Sequence, residues 1–339
     1  MPTVQKAPDQ PWPQLVRGLL INLDPGDHQP EEFSGVPDVT IQGCLGARIR
    51  GSRNLGGGEP PCSMRFNDGA HGLRILGPLE VCESQGRGIR VTVARESQFC
   101  DLNIHHCAVE GIITGNCPSS TYQRISVARS RPSSQSWVRL DYPPDKRHGI
   151  YLSGDASDSV VAAITVLYVT GSALQINGAG MNEIVRNVHA EEIACYHCGS
   201  SNTPPLSLMA VRESIIAKFF QDWVAGDRWG VCFADGKPGY HCENVEFRDY
   251  TVPARSHLAI EQGSNNIEQN PGDGWTPGEP PEPQPPDEMQ ALIDEAQEAI
   301  AGIEGQQAVA STALASIAGY AQVAEDALAR IEALSAGRR

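Results

Sequence analysis

A short segment with the pattern apolar, any residue, apolar recurs through the first three quarters of the chain at nearly constant spacing. Its nine starts are Val39, Met64, Ile89, Ile112, Ile150, Leu174, Met209, Val231 and Leu258. Six of the eight steps between successive starts are 22 to 27 residues long, and the other two are 38 and 35 residues. Of the eighteen positions that this register places inward, only Thr114 is polar. Self-similarity at a fixed period indicates a stack of equivalent structural units.

Each unit also contains a second alternating segment. Four clear examples are the pairs Leu102 and Ile104, Ile125 and Val127, Ile164 and Val166, and Val245 and Phe247. Alternation with period two predicts strands with one buried and one solvated face, and short strands bury that face only when successive units stack. The sequence therefore predicts an all-β fold, a parallel β-helix of about nine turns over residues 39–265, preceded by a Pro-rich arm over residues 1–38.

The charge balance and the hydropathy pattern exclude two classes of partner. The chain has 26 Lys and Arg residues against 41 Asp and Glu residues, a net charge of −15. A phosphate-backbone ligand needs a basic surface, so we expect no nucleic-acid partner. The apolar run Leu15–Leu23 is interrupted by Asn22 and is shorter than the roughly 20 residues of a membrane span, so we expect neither a signal peptide nor membrane insertion.

Ten cysteines are too few, at this chain length, for a disulfide scaffold, and we expect reduced thiols that pack as small apolar side chains. Cys195 and Cys198 form the one CxxC motif, and zinc binding there is the alternative to a core position. His105 and His106 follow a strand end, where a metal role would need an acidic or Cys partner from an adjacent turn. We expect no metal and no cofactor.

Two segments resemble known β-helix turns. His148–Gly154 and Ser97–Ile104 are similar to the turns of right-handed parallel β-helix proteins of the pectate-lyase-like superfamily. The resemblance covers roughly residues 38–265 and implies the fold and its right hand. It does not imply one activity, because that superfamily includes lyases, hydrolases, epimerases and viral spikes.

The two long steps of the repeat predict a wall of loops. The excess segments Arg129–Arg147 and Glu191–Ser207 both follow a second strand, so we expect them to leave the same corner two turns apart. Aromatic and acidic side chains beside a groove are typical of carbohydrate recognition, and solvated loops without a ligand are the alternative. The candidate glycan-binding residues are Trp137, Asp141, Tyr142, Asp145, Glu191, Tyr196 and His197.

The carboxyl-terminal part has a different pattern. Residues 266–286 are rich in Pro and Gly and predict a linker, and residues 287–336 predict a coiled-coil helix with alternating steps of four and three. Ile at d opposite Ile or Leu at a favours three or four strands, and we expect a homotrimer. A lone helix packed on the β-helix is the alternative. The candidate trimerisation residues are Ile293, Ile300, Ile303, Gln307, Leu314, Ile317, Leu328 and Ile331.

An acidic β-helix joined to a trimeric coiled coil resembles bacteriophage tailspikes and tail fibres. The resemblance implies a virion appendage that contacts host-surface polysaccharide, with or without cleaving it. It also implies attachment to other virion proteins through the N-terminal arm or the C-terminal helix. A capsid decoration protein and a free-standing polysaccharide lyase, hydrolase or epimerase are the alternatives. The Gly-His-Gly motif of polygalacturonases is present only in part at His148-Gly149, without its accompanying motifs, so no catalytic residue is assigned.

Overall fold

A computed structural model describes residues 2–53, 60–128, 147–200, 203–222, 229–234, 239–253, 257–260, 265–271 and 275–277. The described residues all belong to one compact unit, Met1–Pro277. The predicted coiled coil over 287–336, with all eight trimerisation residues, lies outside the described residues. So do the loop residues Trp137, Asp141, Tyr142 and Asp145.

The described residues form 24 strands. The first twelve are β1 Thr3–Lys6, β2 Leu20–Leu23, β3 Gly26–His28, β4 Glu31–Phe33, β5 Thr40–Gln42, β6 Ala47–Arg50, β7 Cys62–Phe66, β8 Arg74–Cys82, β9 Arg87–Val91, β10 Gln98–His105, β11 Ile112–Gly115 and β12 Thr121–Ala128. The others are β13 Ile150–Ser153, β14 Val160–Leu167, β15 Leu174–Asn177, β16 Val185–Arg186, β17 His189–Tyr196, β18 Leu206–Met209, β19 Val211–Arg212, β20 Ile215–Gln221, β21 Trp229–Ala234, β22 Glu246–Tyr250, β23 His257–Ala259 and β24 Ile267–Pro271. One short 3₁₀ turn spans Ala179–Met181.

The strands form two large parallel sheets. The long sheet has thirteen strands in the order β1-β2-β5-β8-β10-β12-β14-β17-β20-β22-β24, with β3 and β6 paired beside β8. The short sheet has nine, from β4 and β7 at one end to β21 and β23 at the other. From β7 onward the chain passes alternately from one large sheet to the other, and β16 pairs with β19 in a separate two-stranded sheet. This is the arrangement of a parallel β-helix, and it confirms the all-β prediction.

The interior is a continuous column of apolar side chains from both sheets. Phe99 and Tyr122 are register partners on β10 and β12, and their rings stack with centroids 5.1 Å apart. Thr114, the one polar residue predicted to face inward, is buried, and its hydroxyl lies 2.9 Å from the Tyr122 hydroxyl. A buried hydroxyl is tolerated in an apolar core when it has such a partner.

The long strands bend at one residue with left-handed backbone geometry. Asp101, Arg124 and Ala163 occupy this position in β10, β12 and β14, with φ of 59°, 51° and 55°. Neighbouring residues are register partners, so the bend repeats from strand to strand along the sheet. In β8 the two residues Gly77 and Pro78 oppose Asp101, and a Cβ on Gly77 would overlap the Asp101 carbonyl oxygen. Glycine is required there because only it leaves room for that approach.

The structure differs from the sequence prediction at both ends of the β-helix. The predicted arm over 1–38 contains β1 to β4, which pair with the sheets, so this part of the prediction was wrong. The predicted linker starts too early, because β24 pairs with β22. Among the described residues no helix is long and apolar enough to cross a bilayer.

Two repeat starts were also misplaced. The segment beginning at Val39 belongs to the long sheet through β5, and the start at Met209 should be Leu206, which pairs with Leu174. Met209 shares the face of Asn177, its register partner, on the outward side. Regular spacing alone does not distinguish the two sheets, because each turn contributes a similar alternating segment to both.

Candidate functional site

A polar groove follows the bend on the outer face of the long sheet. Asn103, Ser126 and Thr165 are consecutive register partners on β10, β12 and β14, each two residues after the bend. They alternate with the inward residues, so their side chains point outward. The groove has a volume of about 460 Å³. Its other lining residues are Cys44, Leu45, Gly46, Ala47, Pro78, Leu79, Glu80, Asp101, Leu102, Arg124, Ile125 and Ala163.

The charges beside the groove are held in pairs. Arg124 binds Asp101 through two hydrogen bonds, with Nε–Oδ1 and Nη2–Oδ2 distances of 2.5 and 2.7 Å. This hydrogen bonding holds the pKa of Asp101 below its ordinary value. Glu80 accepts a hydrogen bond from His105 at 3.0 Å, which lowers the pKa of Glu80. Both carboxyls are therefore ionised at neutral pH.

The protonation of the groove carboxylates decides whether either of them can act as a general acid. A glycoside hydrolase needs a carboxylic acid that stays protonated, with its pKa raised, to protonate the leaving oxygen. Among the described residues that line the groove, the carboxylates are Glu80 and Asp101, and the pKa of each is lowered. The Arg124 guanidinium is held by the Asp101 carboxylate.

One group of metal-ligating side chains lies at the end of this groove. Glu80 and Cys82 project from the same face of β8, and His105 on β10 is the register partner of Cys82. One ligand atom from each residue lies within 4.8 Å of the other two. Burial and the neighbouring Glu80 carboxylate raise the pKa of the Cys82 thiol. The acidic and Cys partners that a metal role at His105 requires are thus supplied by the adjacent turn.

The structure separates the predicted glycan-binding residues of the second loop. Glu191 lies inside strand β17, not in a loop, so that part of the prediction was wrong. Tyr196 ends the same strand and is only 8% exposed, packed with Leu167 and Phe220. His197 lies 3.0 Å from Asp222. Six residues that the spacing assigned to the loop, 191–196, belong to strand β17.

The CxxC motif and the corner histidine have packing roles in the structure. Cys195 and Cys198 are fully buried, and the Cys198 sulfur lies 3.3 and 3.4 Å from the carbonyl oxygens of Val166 and Tyr196, which share its one proton as acceptors. His148 is 5% exposed, and its Nδ1 accepts a hydrogen bond from the Ser172 amide at 2.9 Å. His148, Cys195 and Cys198 are not among the residues that line the groove.

Sequence reasoning missed the groove residues Asn103, Ser126 and Thr165. A signal was present, because each lies between the two apolar residues of a second-strand pair. Alternation assigns these positions to the outward face, and the parallel register aligns them in one row. The bend beside them, which makes the surface concave, has no comparable signal.

No protein-family model and no curated protein match the chain. Solved structures that resemble it include an alginate lyase from Paenibacillus sp. str. FPU-7, with TM-score 0.46, 13% identity and coverage of 77% of this chain and 90% of that chain. A rhamnogalacturonan lyase has TM-score 0.45, 9% identity and coverage of 78% and 82%. A polygalacturonase from Erwinia carotovora ssp. carotovora has TM-score 0.39, 12% identity and coverage of 75% and 90%. The strand pairing itself defines the fold.

Proposed function

We propose that this chain binds an uncharged, hydroxyl-rich stretch of polysaccharide along the groove beside the bend, without cleaving it. The observation that supports the proposal is the row of Asn103, Ser126 and Thr165, aligned over three adjacent strands. Sugar hydroxyls both donate and accept hydrogen bonds, and an amide and two hydroxyls offer both roles in return. The groove volume of about 460 Å³ lies in the range of about 300 to 1,000 Å³ typical of ligand sites.

The charges favour a neutral glycan over an acidic one. Arg124 and Asp101 compensate each other, which leaves the Glu80 carboxylate as the excess charge among the described groove residues. The whole chain carries a net charge of −15. The Glu80 carboxylate and the negative net charge of the chain would both repel an acidic polysaccharide, and this repulsion would weaken as salt is added.

The test compares binding of neutral and acidic polysaccharides to the wild-type protein and to groove variants by calorimetry. We expect Asn103→Ala and Thr165→Val each to raise the Kd about twofold to tenfold, the effect of one lost hydrogen bond of about 0.5 to 1.5 kcal/mol. Ser126→Trp fills the middle of the groove and should abolish binding. Thr121→Trp, on the outward face of β12 before the bend, is the matched control and should bind as wild type.

The same incubations distinguish binding from catalysis. New reducing ends or unsaturated products would contradict the proposal and favour the lyase or hydrolase alternative. If Ser126→Trp still binds, the groove is not the site. Loss of binding in Trp137→Ala would then assign the glycan to the first predicted loop.

A second proposal concerns the assembly, and the heptad spacing from Met289 to Ser335 supports it. Three copies joined through this helix would present three grooves, and simultaneous binding of a repeating polysaccharide raises the effective affinity without new contacts. We propose that the trimer acts as a bacteriophage virion appendage at the host surface. The C-terminal segment is the better candidate for attachment to other virion proteins, because β1 to β4 are part of the sheets.

A further inference from the structure

We propose that Glu80, Cys82 and His105 bind a zinc ion at the end of the groove. The three side chains come from two neighbouring strands of the long sheet, where rigid backbone fixes their positions. Their ligand atoms lie within 4.8 Å of one another. Zinc bonds to oxygen, nitrogen and sulfur are about 2.0 to 2.3 Å long, so small side-chain rotations bring all three atoms around one ion.

The ligand types favour zinc over other common cations. One thiolate, one imidazole and one carboxylate form a borderline-soft set that suits zinc, whereas magnesium and calcium prefer oxygen ligands alone. Three protein ligands leave a fourth position for water or a sugar hydroxyl. Glu80 also lines the groove, so this fourth position would face the groove end.

His106 supplies the outer contact that a zinc-bound histidine requires. The Nδ1 atoms of His105 and His106 are 2.6 Å apart, so one must donate a proton to the other. When His105 donates from Nδ1, its Nε2 carries the lone pair and faces Glu80 at 3.0 Å. A ligating histidine commonly donates its second ring N–H to an acceptor in this way, which fixes the tautomer and the ring orientation.

The surrounding charges permit a cation. Arg48 and Arg50 are the register partners of Glu80 and Cys82 on β6, and both form ion pairs with Asp27 at 2.6 and 3.3 Å. Arg50 also pairs with Glu83 at 2.9 Å, so two carboxylates compensate the two positive charges. On zinc binding the Cys82 thiol releases its proton to solvent and the sulfur bonds to the metal, with no change in oxidation state.

Without metal, the same side chains would form a hydrogen-bonded group in which Cys82 and His105 both donate to Glu80. Zinc titration of the untagged full-length protein, stripped with a chelator and kept reduced, separates the two states. In competition with a chromogenic chelator we expect one zinc per chain. Cobalt in place of zinc should give a thiolate-to-metal charge-transfer band in the near ultraviolet.

Variants assign the signal to these residues. Cys82→Ser should remove the charge-transfer band, and Glu80→Gln and His105→Gln should weaken zinc binding at least tenfold. His106→Gln should weaken it about tenfold to a hundredfold with the band retained, as expected of an outer contact. Cys100→Ser, a half-buried thiol on β10, is the matched control and should bind as wild type.

Two results would overturn the proposal. One is failure of the wild-type protein to bind a stoichiometric zinc ion. The other is unchanged zinc affinity and an unchanged cobalt band in Cys82→Ser, which would place the metal on other thiols. Circular dichroism of each variant checks that the β-helix has folded. Glycan binding is not needed for any of these measurements, so the zinc proposal can fail independently of the groove proposal.

Discussion

Buried thiols are the residue-scale feature with the largest consequence for stability. All ten cysteines lie outside any disulfide bond, and eight of them are buried. Desolvation raises the pKa of Cys62, Cys117 and Cys198 to about 12, against an ordinary value of 9.0. A buried thiol cannot ionise without losing its apolar surroundings, whereas the same thiol in the unfolded chain ionises freely.

The free energy of unfolding should therefore fall as pH rises above about 9. A group whose pKa is raised by folding stabilises the protein fully below its unfolded pKa and loses that contribution as pH rises toward its folded pKa. At pH 10 each of the three thiols lowers the free energy of unfolding by about 1.4 kcal/mol, and the three together lower it by about 4 kcal/mol. Urea unfolding under reducing conditions at pH 8, 9 and 10 measures this slope.

In Cys117→Ala the free energy of unfolding should fall less steeply with pH, because the contribution of one thiol is gone. The variant should nevertheless be less stable than the wild type at every pH. Cys100→Ser removes a half-buried thiol whose pKa is raised less, so its slope should stay closer to wild type. Equal slopes in the wild type and in Cys117→Ala would contradict the argument. Dithiothreitol at each pH keeps disulfides from contributing to the slope.

The sequence alone did not predict that Glu80, Cys82 and His105 lie together. Cys82 and His105 are 23 residues apart in the chain, within the repeat spacing, but their pairing depends on the extra residue at Gly77-Pro78. That irregularity shifts the register of β8 between its two halves. A uniform repeat therefore places Glu80 beside the wrong partner, and only the strand pairing corrects it.

At the scale of elements, substitutions at the bend of the long strands measure the free-energy cost of left-handed backbone geometry. Ala163 has φ of 55°, where a Cβ crowds the backbone and glycine does not. We expect Ala163→Gly to stabilise the protein by about 1 kcal/mol and Ala163→Val to destabilise it by about 1 to 2 kcal/mol. The urea midpoints of the three proteins measure both effects.

Ala162→Gly is the matched control, because this neighbour is not among the residues with positive φ. There glycine should destabilise the strand by about 0.5 to 1 kcal/mol, since it adds freedom to the unfolded chain and removes a side chain that packs. Equal losses of stability for glycine at both positions would show that the bend carries no strain.

The bend also explains why only half of each long strand was recognised from sequence. In β10 the inward residues are Phe99, Leu102 and Ile104, so the step across Asp101 is three residues where alternation requires two. The left-handed residue shifts the phase of the pattern, and a search for period two stops there. The second half, Leu102 and Ile104, was predicted correctly because it follows the bend.

For the whole molecule, the repeat predicted the stacked architecture but not its ends. The first 38 residues contain many prolines, and β1 ends at Lys6, which is buried. Its ammonium donates hydrogen bonds to the carbonyls of Ala7 and Gln10 and lies 4.8 Å from the centroid of the Trp12 ring. Such contacts at the edge of the sheet have no periodic signal, because a terminal turn is atypical of the repeat.

The oligomeric state is the property of the whole molecule that the heptad pattern predicts. A chain of 36.4 kDa should have a mass near 109 kDa in solution, three times that value, by light scattering. Ile303→Asp with Ile317→Asp places six carboxylates in the seam of a trimer, and charges there are not solvated, so the mass should fall to that of one chain. The control, Ala301→Asp with Thr312→Asp, adds the same charges at b and f positions away from the seam and should remain trimeric. A wild-type mass of one chain, or an unchanged mass in Ile303→Asp with Ile317→Asp, would contradict trimerisation through these a and d positions.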